Sequence, residues 1–304
     1  MNAVRTGRNP RARRGGFTLA ELLVVMGIIA VLGVLTAVSA QRISRDARVS
    51  SATNAVTATL ASARALAIRD NAVVVVAFRP IWDPANRQRP QQTEMVTAVW
   101  SGESVVFTVD PNTNQRDIAD RFVPANGIQP VRLPAGIKVA GPLFEDGLDN
   151  RWVVQAELSK TANCSESIVY YRQIGVMFAP DGSVVTRNPT ASSADTKAFV
   201  DFNLTDLSPG DNDPQDVAAG GCASGNFQRY WMQDDPSDEC NLTLVPYIAV
   251  YDDRLARERR ATDWSNESDI VAELVGPTGW ISTFADRIHF NRYTGVASVQ
   301  GAER

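Results

Sequence analysis

The stretch RRGGFTLAELLVVMGIIAVLGVL, residues Arg13–Leu35, decides how the rest of the chain is read. Two arginines and two glycines lead into an apolar run, and from Phe17 to Ala40 the only ionisable side chain is Glu21. Those residues would make a helix of about 36 Å, enough to cross a hydrocarbon core of about 30 Å. Arg5, Arg8, Arg11, Arg13 and Arg14 precede it with no acid among them. By the positive-inside rule the extreme N-terminus stays cytoplasmic and the body from Gln41 onward lies outside. A carboxylate within a spanning helix costs roughly 2.5–3.5 kcal/mol on insertion scales, so Glu21 needs an explanation.

Downstream, Gln41–Asp70 lacks proline and glycine and is rich in alanine. Ile43, Ala47, Val56, Leu60, Ala63 and Ala67 fall mostly three or four apart, which predicts one apolar face. The helix therefore continues past the membrane as an amphipathic segment, marked at its exit by Arg42, Arg45, Asp46 and Arg48, and Asn71 is the expected stop. Gly27 and Gly33 are soft points, at about 1 kcal/mol each relative to alanine.

Three origins compete for the apolar run. It is a signal peptide cut after Val38-Ser39-Ala40, which would release a soluble periplasmic binding protein, or a plain anchor, or a leader cut at Gly16 with the apolar segment kept. Glu21 separates them, because neither of the first two needs a buried carboxylate. Gly15-Gly16-Phe17-Thr18-Leu19-Ala20-Glu21-Leu22-Leu23-Val24-Val25 resembles the prepilin-type cleavage and methylation motif of type IV pilins and type II secretion pseudopilins. The resemblance implies scission between Gly16 and Phe17 by a prepilin peptidase and N-methylation of Phe17. It also implies an assembly role for Glu21, pairing with the Phe17 amine of a neighbouring subunit. An unpaired carboxylate in a filament core is costly and a paired one much less so.

The remainder reads as a β-rich head. Ala72–Phe78 is short and dense in β-branched residues, and further strands are expected at 93–100, 104–109, 136–140, 167–178, 183–187, 198–204, 244–251, 287–291 and 296–300. Turn signals such as Pro180-Asp181-Gly182 separate them, and a second helix is expected near 252–260. The expectation is an α+β, pilin-like fold: a long N-terminal helix on an antiparallel sheet or sandwich. Its parts are a leader at 1–16, a membrane or filament-core helix at 17–40, its amphipathic continuation at 41–70, and a periplasmic head at 71–304. Long loops are expected near 81–93 and 190–240. Ile174–Gly182, Leu133–Val139 and Arg287–Gly295 resemble segments of the H-type minor pseudopilins of type II secretion and of FimT-like minor pilins.

Charge and composition bound the chemistry. The net charge of −4 becomes −9 once the five leading arginines are gone, which argues against broad contact with a phosphate backbone. The one dense basic strip is Arg254, Arg257, Arg259 and Arg260, the candidate nucleic-acid contact should the chain serve DNA uptake as FimT-like pilins do. His289 is the only histidine, so neither a multi-histidine metal site nor a Ser-His-Asp triad elsewhere is available. No phosphate-binding glycine loop appears, and a separate cytoplasmic ATPase would have to drive assembly. These absences point away from an enzyme.

Among Cys164, Cys222 and Cys240, the last two are the favoured disulfide, because they bracket a polar stretch; such a closure would contribute about 3 kcal/mol. Three isolated thiols are the alternative. Asp201, Asp206, Asp211, Asp213 and Asp216, followed by Asp234, Asp235, Asp238 and Glu239, are weighed as calcium ligands against a solvated acidic loop. No cofactor is otherwise expected. Trp231, Trp264 and Trp280 are interface candidates, with core packing expected for at least two. The resemblance implies as partners the prepilin peptidase, other pilins or pseudopilins and an inner-membrane assembly platform. It places the chain as a single-pass bacterial inner-membrane protein that later joins a filament.

Overall fold

The computed structural model describes residues 19–83, 86–109, 116–143, 151–154, 173–186, 197–201, 242–260, 267–291 and 293–301. Two compact units are present, Met1–Ala47 and Arg48–Arg304. Helix α1 (Leu19–Asp70) contributes to both. Gly27 and Gly33 leave it unbroken, with open space where a Cβ would stand on either. It stops where the sequence expects. Asn71 takes the left-handed conformation (φ 48°), and the Ala72 N–H reaches back to the Ala67 carbonyl at 3.1 Å. This is a Schellman-type ending, which asparagine tolerates better than most side chains.

In the head unit, α1 buries Ala52, Val56, Leu60, Ala63, Leu66 and Ala67. The expected stripe is corrected at its start: Ile43 is 69% exposed and Ala47 is also exposed, so burial begins only around Val49. Small residues at 52, 63 and 67 keep the helix close to the sheets beneath it.

One sheet has the order β10-β7-β1-β2-β3-β9. Its strands are β1 (Val74–Asp83), β2 (Asn86–Val109), β3 (Arg116–Pro124), β7 (Gln173–Phe178), β9 (Lys197–Val200) and β10 (Leu242–Leu244). Two short strands extend it, β4 (Val131–Arg132) on β2 and β8 (Val184–Val185) on β7. The other sheet has the order β13-β12-β11-β5-β6. It comprises β5 (Ile137–Leu143), β6 (Arg151–Val154), β11 (Tyr247–Asp252), β12 (Asp286–Phe290) and β13 (Ala297–Gln300). Helix α2 (Asp253–Arg259) follows β11 directly, and α3 (Glu267–Ile270), a π-turn at Val271–Val275 and α4 (Trp280–Phe284) precede β12.

The run Val74-Val75-Val76-Ala77-Phe78 is apolar at every position because β1 is buried on both faces. Val74, Val76 and Phe78 face the main core with α1, Ile174, Val176, Ile248 and Ile288. Val75 and Ala77 face a second core with Phe122, Met177, Val200, Leu242 and Leu244. Strands β9 and β10 approach each other on that side, so the first sheet curls around its own small core. Packing at Gly175 is tight: a Cβ on it would press on Leu242, Leu244 and Val75, each at 3.2 Å.

The α+β architecture with a sheet-rich head holds, with corrections in its detail. The first sheet is mixed, since β10 runs parallel to β7 and β9 parallel to β3. The segment 81–93, expected as a loop, instead lengthens the β1–β2 hairpin, with Ile81 opposite Gln92, Trp82 opposite Pro90 and Asp83 opposite Asn86. The proline there sits at a register shift, where a ladder hydrogen bond is dispensable. The expected strands 93–100 and 104–109 are one strand with an irregularity between Trp100 and Ser104 around Gly102 (φ 85°), whereas 244–251 is two strands split at Val245 and Pro246. Strands β3, β4 and β6 and the helical turns after residue 266 were not expected. The proposed loop 190–240 lies mostly outside the described residues, although Lys197–Val200 within it is strand β9.

Candidate functional site

The N-terminal motif is the strongest functional signal, and the helix it opens has a surface that fits it. Glu21 lies in the first turn of α1, where a carboxylate is favoured by the helix dipole. Every large aliphatic side chain from Leu19 to Leu35 is between 48% and 80% exposed. Residues Leu19–Thr36 are long and apolar enough to cross a membrane, and none of that span is buried within the chain. Such an apolar surface needs lipid or other subunits to cover it. The Thr36 hydroxyl is satisfied within the helix by the Leu32 and Gly33 carbonyls, at 3.0 and 2.9 Å. Gly16 and Phe17 lie outside the described residues; Val38–Ala40, the alternative cut site, is helical.

The basic strip does not present four parallel cations. Asp252 caps α2, accepting the Leu255 N–H at 2.9 Å, and this sets the helix phase. Arg257 then turns inward onto Asp253 at 3.2 Å, where Lys138 also binds the same carboxylate oxygen at 3.2 Å. Arg260 pairs with Glu273 at 2.6 Å. Arg254 bridges to Glu258 at 3.1 Å while staying 72% exposed, and Arg259 is exposed. The sequence shows the arginines and the neighbouring Asp253 and Glu258, but not Glu273 or the second cation, Lys138, that the fold brings to Asp253.

Asp201, first of the calcium candidates, is buried and taken by Arg121, whose Nη2 lies 2.7 Å from Oδ2. Arg121 also reaches Glu103 at 2.7 Å. The other acidic candidates, Asp206 to Glu239, lie outside the described residues, as do Cys164, Cys222, Cys240, Trp231 and Trp264. Among the described residues, no group of three His, Cys, Asp or Glu side chains is arranged to hold a metal ion. Trp280 is buried in the core and packs on Phe284 with ring centroids 4.4 Å apart.

His289 sits on β12, half-buried, and stacks on Tyr247 at 5.0 Å. Tyr247 meets Trp152 edge-on at 5.8 Å, and the Arg287 guanidinium lies 5.6 Å from the Trp152 ring. Burial raises the Tyr247 phenol above its ordinary value, partly opposed by Arg287. The group is an aromatic brace between β6, β11 and β12. Trp152 donates its Nε1–H to the Ser282 hydroxyl at 2.9 Å, tying the brace to α4.

Two of the motifs singled out in the sequence meet in space. The turn after β7, Pro180-Asp181-Gly182, and the turn after β12, closing at Gly295, converge on Arg64 of α1, whose Nε donates to the Gly182 carbonyl at 3.3 Å. Asp181 accepts the Ser183 amide at 2.8 Å, and Ser183, through its side chain first, holds that carboxyl below its usual range. Asn291 organises the second turn by accepting the Tyr293 and Thr294 amides, each at 3.0 Å. The signal in the sequence was the pair of glycines; their shared partner on α1 was not visible.

An exposed apolar helix with a carboxylate in its first turn, together with a sheet-rich head, is consistent with a pilin-like precursor. Residues 11–37 match the prokaryotic N-terminal methylation motif, which implies prepilin-type processing, a single-pass anchor and assembly with other pilins. No curated protein and no solved structure gives a significant match.

Proposed function

We propose that this chain is a minor pilin or pseudopilin, a non-enzymatic subunit of a type II secretion pseudopilus or a type IV pilus. Prepilin peptidase cuts between Gly16 and Phe17 and methylates the Phe17 amine. The helix is first held in the inner membrane with the head in the periplasm. It then leaves the bilayer for the filament, where Glu21 pairs with the Phe17 amine of a neighbour. The observation that carries this reading is the methylation motif at 11–37 on a helix whose apolar residues are left exposed among the described residues. The H-type and FimT-like likenesses in the head support a minor rather than a major role. DNA binding has less support, because Arg257 and Arg260 are committed to Asp253 and Glu273.

The test is the mass of the mature N-terminus, measured on protein from its native membrane. N-methylated Phe17 is the expected result. A chain beginning at Gln41 would mean that the apolar segment is discarded, and the filament reading would fall.

A further inference from the structure

Lysine and arginine are normally sparse just beyond a membrane span on the translocated side. Here Arg42, Arg45 and Arg48 follow the apolar run directly, although the chain beyond the leader is acidic. The end of the head that begins at Arg48 adds further cations. Arg48 lies 3.9 Å from Asp252, the cap of α2, so α2 flanks the point where α1 joins the head core. On α2, Asp253 and Ala256 are buried, which leaves Arg254 and Arg259 facing solvent. The Arg48 side chain is itself 37% exposed. In the sequence Arg48 follows Ala40, the end of the apolar run, by only eight residues.

We propose that this end of the head, through Arg254, Arg259 and Arg48, binds the phosphate groups of anionic phospholipids while the subunit waits in the membrane. The inference rests on the membrane-anchored reading above. The Arg254–Glu258 bridge does not oppose it, because an exposed i,i+4 pair is weak and easily exchanged for a phosphate. Arg257 and Arg260 take no part, being held by Asp253 and Glu273. The contact would be released when the subunit leaves the bilayer, since nothing else in it is covalent or deeply buried.

The test uses the full-length chain in lipid nanodiscs, made of phosphatidylcholine alone or of phosphatidylcholine mixed with phosphatidylglycerol. Hydrogen exchange is read on the peptide covering α2, with β11 and β12 as internal controls. Expected is slower exchange of α2 with the anionic lipid, by about fivefold for each arginine engaged. The protection should vanish at high salt and in the R254Q/R259Q variant, with the control strands unchanged. Equal α2 exchange in the two lipids overturns the proposal, as does protection that survives in the variant; the comparison of lipids on the unsubstituted chain stands even if the variant folds poorly. A chain that does not enter nanodiscs at all overturns the anchored reading and this inference with it.

Discussion

Lys138 Nζ lies 3.2 Å from Asp253 Oδ2, with both side chains almost sealed from solvent, and Arg257 Nε shares the same oxygen at 3.2 Å. Two cations on one buried carboxylate make the first turn of α2 and strand β5 interdependent. Removing the carboxylate takes away the partner that both cations share, whereas removing Lys138 leaves Asp253 paired with Arg257. Asp253→Ala should therefore cost about 3–5 kcal/mol. Lys138→Met, which fills the same volume, should cost clearly less. Thermal melting of the detergent-solubilised chain distinguishes them, and equal losses would mean that the two cations are not shared in this way.

Gly295 is at φ 64°, and a Cβ there would collide with the Gly182 carbonyl and with Arg64. Gly127 has a similar φ of 79° but open space around it. Gly127→Ala should then cost only the left-handed backbone strain, about 1–2 kcal/mol. Gly295→Ala should cost more, because the two turns must separate from α1. Matched denaturation curves of the two variants test this, and equal costs would show that the turns yield easily.

The Tyr247 phenol titrates above its ordinary value of about 10 because burial disfavours the phenolate. Between those two values the folded chain holds a proton that the unfolded chain has lost. The corresponding stability is fully present below pH of about 10 and declines as pH rises through the folded value. Tyr247→Phe should flatten that alkaline decline, and ultraviolet difference titration should lose one late-titrating tyrosine. An unchanged titration would place the raised phenol elsewhere.

Glu21→Ala removes the one charge in the apolar run, so membrane insertion should be undiminished or improved by about 2.5–3.5 kcal/mol. Incorporation into filaments should fall sharply, while cleavage at Gly16 should continue. Membrane fractionation and filament shearing read the two separately. Normal filament incorporation of the variant would remove the assembly role proposed for Glu21.

Much of the head was readable where local signals agreed with burial. The end of α1 at Asn71 was legible because a break in helical periodicity coincides with a residue that tolerates positive φ. Strands β1 and β7 were legible from dense β-branched or apolar runs. Strand β3 was not, because Arg116-Asp117-Ile118-Ala119-Asp120-Arg121 looks like a polar loop. It becomes a strand because β2 supplies a ladder partner; Ala119 and Phe122 of it are fully buried. The β1–β2 arm at 81–93 was misread for the same reason: its polar residues carry no periodic signal, and the strand shows only in the pairing register.

The sequence by itself determined the N-terminal half of the story. A continuous apolar helix, a lone Glu21 and a glycine before Phe17 are local, covalently ordered features, so their meaning survives without a fold. Only the tertiary structure decided the fate of the head's charges. Arg257, Lys138 and Asp253 are distant or ambiguous along the chain, and whether an arginine faces solvent or a buried carboxylate depends on which strand lies beneath it. The same is true of Gly182 and Gly295, more than a hundred residues apart, which favour glycine because both take positive φ and because the first crowds Ile68 of α1 and the second crowds the Gly182 carbonyl, with Arg64 beside both.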